Sequence, residues 1–125
     1  MEKNAKIYVA GHRGMVGSAI VRELERQGYH NIVTRTSKEL DLCNQAATEA
    51  FFQTEKPEYV FLAAAKVGGI VANSEALADF MWFNMTLEMN VIHSAWQNGC
   101  KKLEFLGSSC IYPKMAPQPM PKSCL

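Results

Sequence analysis

An α/β fold, a doubly wound parallel sheet with helices on both faces, is predicted by two features of these 125 residues. Short apolar runs alternate with longer amphipathic stretches in the order β-α-β-α-β-α-β, which implies parallel strands joined by right-handed crossovers. A glycine-rich loop links the first apolar run to the first amphipathic stretch. The length suits one domain with a single core.

Each element can be justified in turn. Lys6-Ile7-Tyr8-Val9-Ala10 is an apolar run between a charged N-terminus and Gly11, and reads as a buried parallel strand. Residues 15–27 place Met15, Val16, Ala19, Ile20 and Leu24 at helical spacing, with Arg22, Glu23, Glu25 and Arg26 between them and Gly28 as the stop. Asn31-Ile32-Val33-Thr34-Arg35 is a second strand, rich in β-branched residues. A weaker helix is predicted over 42–54, around Ala46, Ala47, Ala50, Phe51 and Phe52, and Pro57 precedes the strand Tyr59-Val60-Phe61-Leu62. After Gly68-Gly69 the longest helix covers about 75–97. Its Leu77, Phe80, Met81, Met85, Met89, Ile92 and Trp96 follow the helical repeat, and Asn98-Gly99 ends it. A fourth strand over 102–107 leads to a proline-rich tail (Pro113, Pro117, Pro119, Pro121) that reads as loop. The expected strand order is 3-2-1-4, which leaves strand four as an edge.

Composition removes several functions. Thirteen basic side chains against twelve acidic ones give a net charge of +1, without the basic excess of a nucleic-acid binder. The longest apolar run, residues 60–65, is far below the ~20 residues of a membrane helix. No signal-peptide segment precedes the first strand. Cys43, Cys100, Cys110 and Cys124 form no C-x-x-C pair and no zinc spacing, so reduced thiols in a cytoplasmic protein are expected. No two histidines share ligand spacing, and no metal site is expected. His12, His30, His93 and Lys66 read as local or surface groups.

The chemistry sits in Gly11-His12-Arg13-Gly14-Met15-Val16-Gly17. The first glycine permits a tight strand-to-helix turn, the second lets backbone approach a pyrophosphate, and the third lets the helix pack on the strand. Helix N–H groups and the positive helix end then face the phosphate. Such a string also occurs where a turn merely needs glycines, but the strand before and the helix after select a dinucleotide site of Rossmann type. Where an NAD site usually presents an acid after strand two, this chain presents Thr34-Arg35-Thr36-Ser37-Lys38, with Arg13 in the loop. Those cations and hydroxyls suit a 2′-phosphate, so NADP(H) is the expected cofactor. Asp41 flanks an adenine or caps a helix, and the two readings are compatible. Ala63-Ala64-Ala65, ending strand three, makes room for a cofactor or packs helix on sheet. Leu106-Gly107-Ser108-Ser109-Cys110-Ile111-Tyr112-Pro113 leaves strand four where α/β sheets place ligands. On the residues alone its Ser-Ser-Cys turn is structural or catalytic.

Three segments, residues 10–20, 62–70 and 106–113, together resemble the extended short-chain dehydrogenase/reductase family over essentially all 125 residues, the second and third being the more specific. Within it the pattern is similar to bacterial sugar-nucleotide epimerase/reductases that convert GDP-4-keto-6-deoxy-D-mannose to GDP-L-fucose. The resemblance implies NADPH held by Gly11, His12, Arg13, Gly14, Met15, Val16 and Gly17. It extends that site to Ser37, Lys38, Glu39, Leu40, Asp41 and Leu42 and to Leu106, Gly107, Ser108 and Ser109, beside the Arg35, Ala63 and Ala64 read from the residues themselves. It implies that Ser108 hydrogen-bonds the 4-keto oxygen and that Cys110 is one of two groups exchanging protons at C3 and C5. A GDP-sugar substrate and a homodimer built on the Met-rich helix are implied as well.

One departure stands out. Such reductases use Tyr-x-x-x-Lys, whereas Tyr8, Tyr29, Tyr59 and Tyr112 are followed four residues later by His12, Val33, Ala63 and Ala116. Lys122 also stands where the family tends to have Glu. The expectation is a truncated cofactor-binding domain, residues 1–125, without its substrate domain and inert alone. The alternatives are a non-catalytic NADP-binding regulatory or interaction module and a different sugar-nucleotide epimerase or dehydratase.

Overall fold

The computed structural model describes residues 1–69 and 74–124; Ile70, the last residue of the second resembling segment, lies outside them. Among the described residues one parallel sheet holds β1 (Ile7–Ala10), β2 (Ile32–Val33), β3 (Tyr59–Leu62) and β4 (Lys102–Phe105), in the order β2-β1-β3-β4. The connections carry α1 (Met15–Arg26), α2 (Gln45–Glu55) and α3 (Leu77–Gln97). No helix of the described residues is long and apolar enough to cross a membrane.

The Rossmann-type parallel sheet is present, and in the doubly wound order 3-2-1-4-5-6 its strands fill places 2, 1, 4 and 5. The correction concerns which strand fills which place. Tyr59–Leu62 lies beside β1 rather than outside β2, and β4 lies beside β3 rather than beside β1. The physical reason is burial: Val60 and Leu62 are 1% and 2% exposed, which only a central strand provides. Residues after Val33 do not extend an outer strand either. They coil into a turn in which the Leu40 N–H donates to the Thr36 carbonyl at 2.9 Å. β4 is still an edge, as expected.

Strand alternation divides the core in two. Tyr8, Ala10, Val60 and Leu62 pack with Phe52 of α2 and with Leu87, Val91 and Ala95 of α3. Ile7 and Val9 pack with Leu24 of α1 and with Tyr29 on the opposite face. Helices therefore cover both faces. Tyr8 meets Phe51 and Phe52 at ring-centroid distances of 4.6 and 5.8 Å, an aromatic cluster that seats α2 on the sheet.

The boundaries differ locally. α2 begins at Gln45 rather than near Leu42, because Asp41 Oδ1 accepts from the Cys43 N–H and Asn44 Oδ1 accepts from the Ala47 N–H. On α1 the burying positions are Gly17 and Leu24, while Met15 and Val16 stand exposed. On α3 the inward residues are Leu87, Val91, Ser94 and Ala95. Leu77, Met81, Met85, Met89, Ile92 and Trp96 face outward, leaving an apolar stripe on the surface. The tail beyond β4 carries short 3₁₀ turns at Ser109–Ile111 and Lys122–Cys124.

Candidate functional site

Ala10, Leu62 and Phe105 stand level across the sheet, so the loops after β1, β3 and β4 leave from one edge. The β1–α1 loop is built on close approaches. Gly11 has φ +81°, and a Cβ there would lie 2.7 Å from both the Ala63 carbonyl oxygen and the Ala64 nitrogen. At Gly17 a Cβ would overlap the Gly11 carbonyl oxygen and lie 3.0 Å from the His12 Cα. These contacts are to backbone, which cannot swing aside, so α1 is drawn hard onto the loop and the loop onto the residues just past β3. Gly14 caps α1 with extended backbone and no side-chain bond, and no acid stands in the first turn. The first-turn N–H groups thus have no intrahelical acceptor, and the positive helix end is unneutralised. That is a built anion site.

The β2–α2 turn forms the second wall. Arg35 donates from Nη2 to Glu55 at 2.6 Å and from Nη1 to the Thr34 carbonyl at 2.8 Å, and its guanidinium lies 5.4 Å from the centre of the Phe51 ring. The other Glu55 oxygen takes Lys6 Nζ at 3.2 Å. Arg35 is therefore a cation fixed in place, with part of its fork committed. Glu39 turns back, accepting from the Thr36 N–H and hydroxyl, both at 2.7 Å. Those two bonds hold its carboxyl below the usual range, with Arg35 and Arg13 adding attraction. Arg13 and Lys38 are exposed, and neither has an ion-pair partner among the described residues.

These walls and the end of β3 enclose a crevice of about 360 Å³. Of the residues expected from sequence, Gly11, His12, Arg13, Gly14, Arg35, Ser37, Lys38, Leu40, Asp41, Leu42, Ala63 and Ala64 line it. Gly17 is buried beneath the loop, Met15 and Val16 point to solvent, and Glu39 faces Thr36. Thr36 of the basic turn and Ala65 of the alanine run also line the crevice, as do Phe83 and Leu87. The first two belong to segments read from the sequence for the cofactor, whereas Phe83 and Leu87 arrive from α3 with no local signal. His12 Nδ1 is buried in the loop and has no hydrogen-bond partner among the described residues. A larger hollow on the solvent side of α3, lined by Met85, Met89, Ile92 and Trp96 among others, is almost wholly apolar and has no phosphate-binding feature.

Leu106, Gly107, Ser108, Ser109 and Cys110 stand at the end of β4, exposed and outside the crevice lining. Ser108 Oγ accepts from the Cys110 N–H at 3.1 Å, capping the short turn. That bond uses an oxygen lone pair and leaves the hydroxyl proton available to donate. The arrangement offers an anion cradle, flanking cations for a second phosphate, and a hydroxyl and thiol one strand away.

A model of the NAD dependent epimerase/dehydratase family matches residues 7–124. The chain is 65% identical over 125 residues to "Putative GDP-L-fucose synthase 2" of Arabidopsis thaliana, covering all of this chain and 38% of that protein. It is 57% identical over 118 residues to the GDP-L-fucose synthase of Escherichia coli (strain K12), covering 94% of this chain and 37% of that protein. The likeness thus takes in plant as well as bacterial proteins. The solved structure of MlghC, a GDP-mannoheptose C4 reductase from Campylobacter jejuni with NADP bound, superposes with a TM-score of 0.95 at 46% identity, covering all of this chain and 40% of that one. The chain spans 37–38% of the length of these curated relatives. With the glycine cradle at the end of β1 and the family match across nearly its whole length, the chain belongs to the NAD-dependent epimerase/dehydratase family.

Proposed function

We propose that this chain is the cofactor-binding part of an NADPH-dependent sugar-nucleotide epimerase/reductase that converts GDP-4-keto-6-deoxy-D-mannose to GDP-L-fucose. The observation that carries the reading is the crevice, where a glycine cradle that no Cβ can enter meets two exposed cations, Arg13 and Lys38. The N–H groups of the first turn of α1 receive the pyrophosphate. Arg13 and Lys38 take the 2′-phosphate, with Arg35 as a fixed flanking cation. Ala63, Ala64 and Ala65 leave room for the chain of the dinucleotide. Bound there, the cofactor supplies hydride for C4 of the keto sugar. Ser108 donates its hydroxyl to the 4-keto oxygen, which acidifies C3 and C5, and the Cys110 thiol is one of the two groups, a base and a partner acid, that exchange protons at those carbons. The relatives named for GDP-L-fucose synthesis, and the NADP in the Campylobacter reductase, support the substrate and the cofactor.

A cytoplasmic location fits the four free cysteines. A homodimer fits the outward apolar stripe of α3, where Met81, Met89 and Trp96 are more than half exposed. A non-catalytic NADP-binding regulatory or interaction module is the second reading.

A chimera separates the two. Residues 1–125 replace the matching part of the Escherichia coli relative, and NADPH oxidation is followed with the keto-sugar substrate. Turnover by the chimera, none by the chain alone, and a drop of about 100-fold in the Ser108→Ala chimera are expected. A chimera that binds NADPH without turning over favours the module. NADPH oxidation by the chain alone contradicts its being only a part.

A further inference from the structure

We infer that α3 fastens both walls of the cofactor crevice through two amides, Asn84 positioning the nicotinamide side and Asn90 the adenosine side. Asn84 Oδ1 accepts from the Lys66 N–H at 2.7 Å and its Nδ2 donates to the Lys66 carbonyl at 3.0 Å. Both backbone groups of one loop residue are thus held by one side chain, just past the end of β3. The same loop is held a second way, because Lys66 Nζ lies 5.2 Å and 5.8 Å from the centres of the Phe80 and Phe83 rings. On the other wall, Asn90 Nδ2 donates to the Leu42 carbonyl at 2.9 Å, a carbonyl that Thr48 Oγ1 also reaches at 3.3 Å.

Helical geometry explains why one helix serves both walls. At 3.6 residues per turn, Asn84 and Asn90 each lie about 60° round the helix from Leu87, on opposite sides of it. Leu87 itself lines the crevice, so the two amides flank the strip of α3 that faces the cofactor site. The proposal rests on reading that crevice as the NADPH site. A dinucleotide there crosses the strand ends with its pyrophosphate over the start of α1 and its adenosine toward β2. The Leu42 wall then meets the adenosine half, and the loop beyond β3 meets the nicotinamide half. Neither asparagine lines the crevice; Asn90 holds the backbone of a lining residue, Leu42, and Asn84 holds that of Lys66, the residue directly after the lining Ala65.

The test titrates the wild-type chain and its Asn84→Ala, Asn84→Asp and Asn90→Ala variants with NADPH and with adenosine 2′,5′-bisphosphate, which lacks the nicotinamide half. Asn84→Ala is expected to weaken NADPH about tenfold, from two lost hydrogen bonds, and to change the bisphosphate less than about twofold. Asn84→Asp keeps the acceptor, loses the donor, and falls between. Asn90→Ala weakens both ligands alike, by about threefold, because Thr48 retains part of the contact. Unchanged NADPH affinity in Asn84→Ala overturns the inference. So does equal weakening of both ligands in Asn84→Ala and Asn84→Asp, the latter deciding if the alanine variant does not fold. A wild-type chain that binds neither ligand overturns the NADPH site itself.

Discussion

Glycine-to-alanine substitutions at three positions separate steric exclusion from backbone strain. At Gly17 the backbone is helical, so alanine would ordinarily add about 1 kcal/mol of helix stability. The new Cβ, however, overlaps the Gly11 carbonyl oxygen and lies 2.7 Å from its carbon. Both are backbone atoms, so α1 must move off the loop, an overpacking cost of about 3 kcal/mol. The net loss is about 2 kcal/mol, or about 8 °C in melting temperature for a domain of this size. At Gly11 the same kind of overlap, with Ala63 and Ala64, adds to a left-handed φ of +81°. That extra strain of about 1–2 kcal/mol brings the loss to about 4–5 kcal/mol, close to the whole stability of a marginal domain. Gly28 is the control: its φ is +82°, but nothing lies within 4 Å of a Cβ there. Gly28→Ala should cost only about 1 kcal/mol. Thermal melts by circular dichroism rank the three, and NADPH titration should show loss of affinity in Gly17→Ala but not in Gly28→Ala. A Gly17→Ala variant as stable as wild type, with unchanged affinity, would refute the reasoning.

Two further outcomes follow from the packing and charge. Glu58 accepts from Lys101 Nζ at 2.5 Å and from the Lys6 N–H at 3.2 Å, and these bonds, the Lys101 one foremost, hold its carboxyl below the usual carboxylate range. A depressed carboxyl contributes stability that is complete above about pH 4.5 and is lost as pH falls through its lower folded value; urea melts of Glu58→Gln should therefore lose less stability on acidification than those of wild type. On α3, Met85→Glu with Met89→Glu places charge on the outward stripe, and sedimentation velocity should show less self-association than in the wild-type chain; a wild-type chain that is monomeric at all concentrations counts against the homodimer.

How much of this was legible in the sequence differs by element. β3 was readable to the residue, because Pro57 and the apolar run bound it on both sides. β2 was read as five residues and pairs over two, since β-branched composition says nothing of whether a neighbour follows the strand outward. α3 is the instructive case. It is apolar on most of its circumference, so the repeat through Leu77, Met81, Met85, Met89 and Trp96 was as regular as the one through Leu87, Val91 and Ala95. Periodicity cannot tell which stripe meets the sheet; only the second does. At the site, the local signals in the glycine loop and the basic turn were readable because they lie within a few residues of a strand end. Phe83 and Leu87 reach the crevice from a distant helix, the amides of Asn84 and Asn90 reach the backbone of Lys66 and Leu42 from the same helix, and no spacing within the sequence announces them. Arg35 reads from the sequence as a cation for the 2′-phosphate, but part of its fork is taken by Glu55, twenty residues away at the far end of α2.

The most direct test of the account is a calorimetric titration of the chain with NADPH and, in parallel, with NADH, repeated on an Arg13→Ala, Lys38→Ala double variant. NADPH should bind at least about tenfold more tightly than NADH, the worth of one charge-assisted phosphate contact, and the double variant should lose that preference while keeping its affinity for NADH. Equal affinity of the unaltered chain for the two cofactors would contradict the 2′-phosphate site.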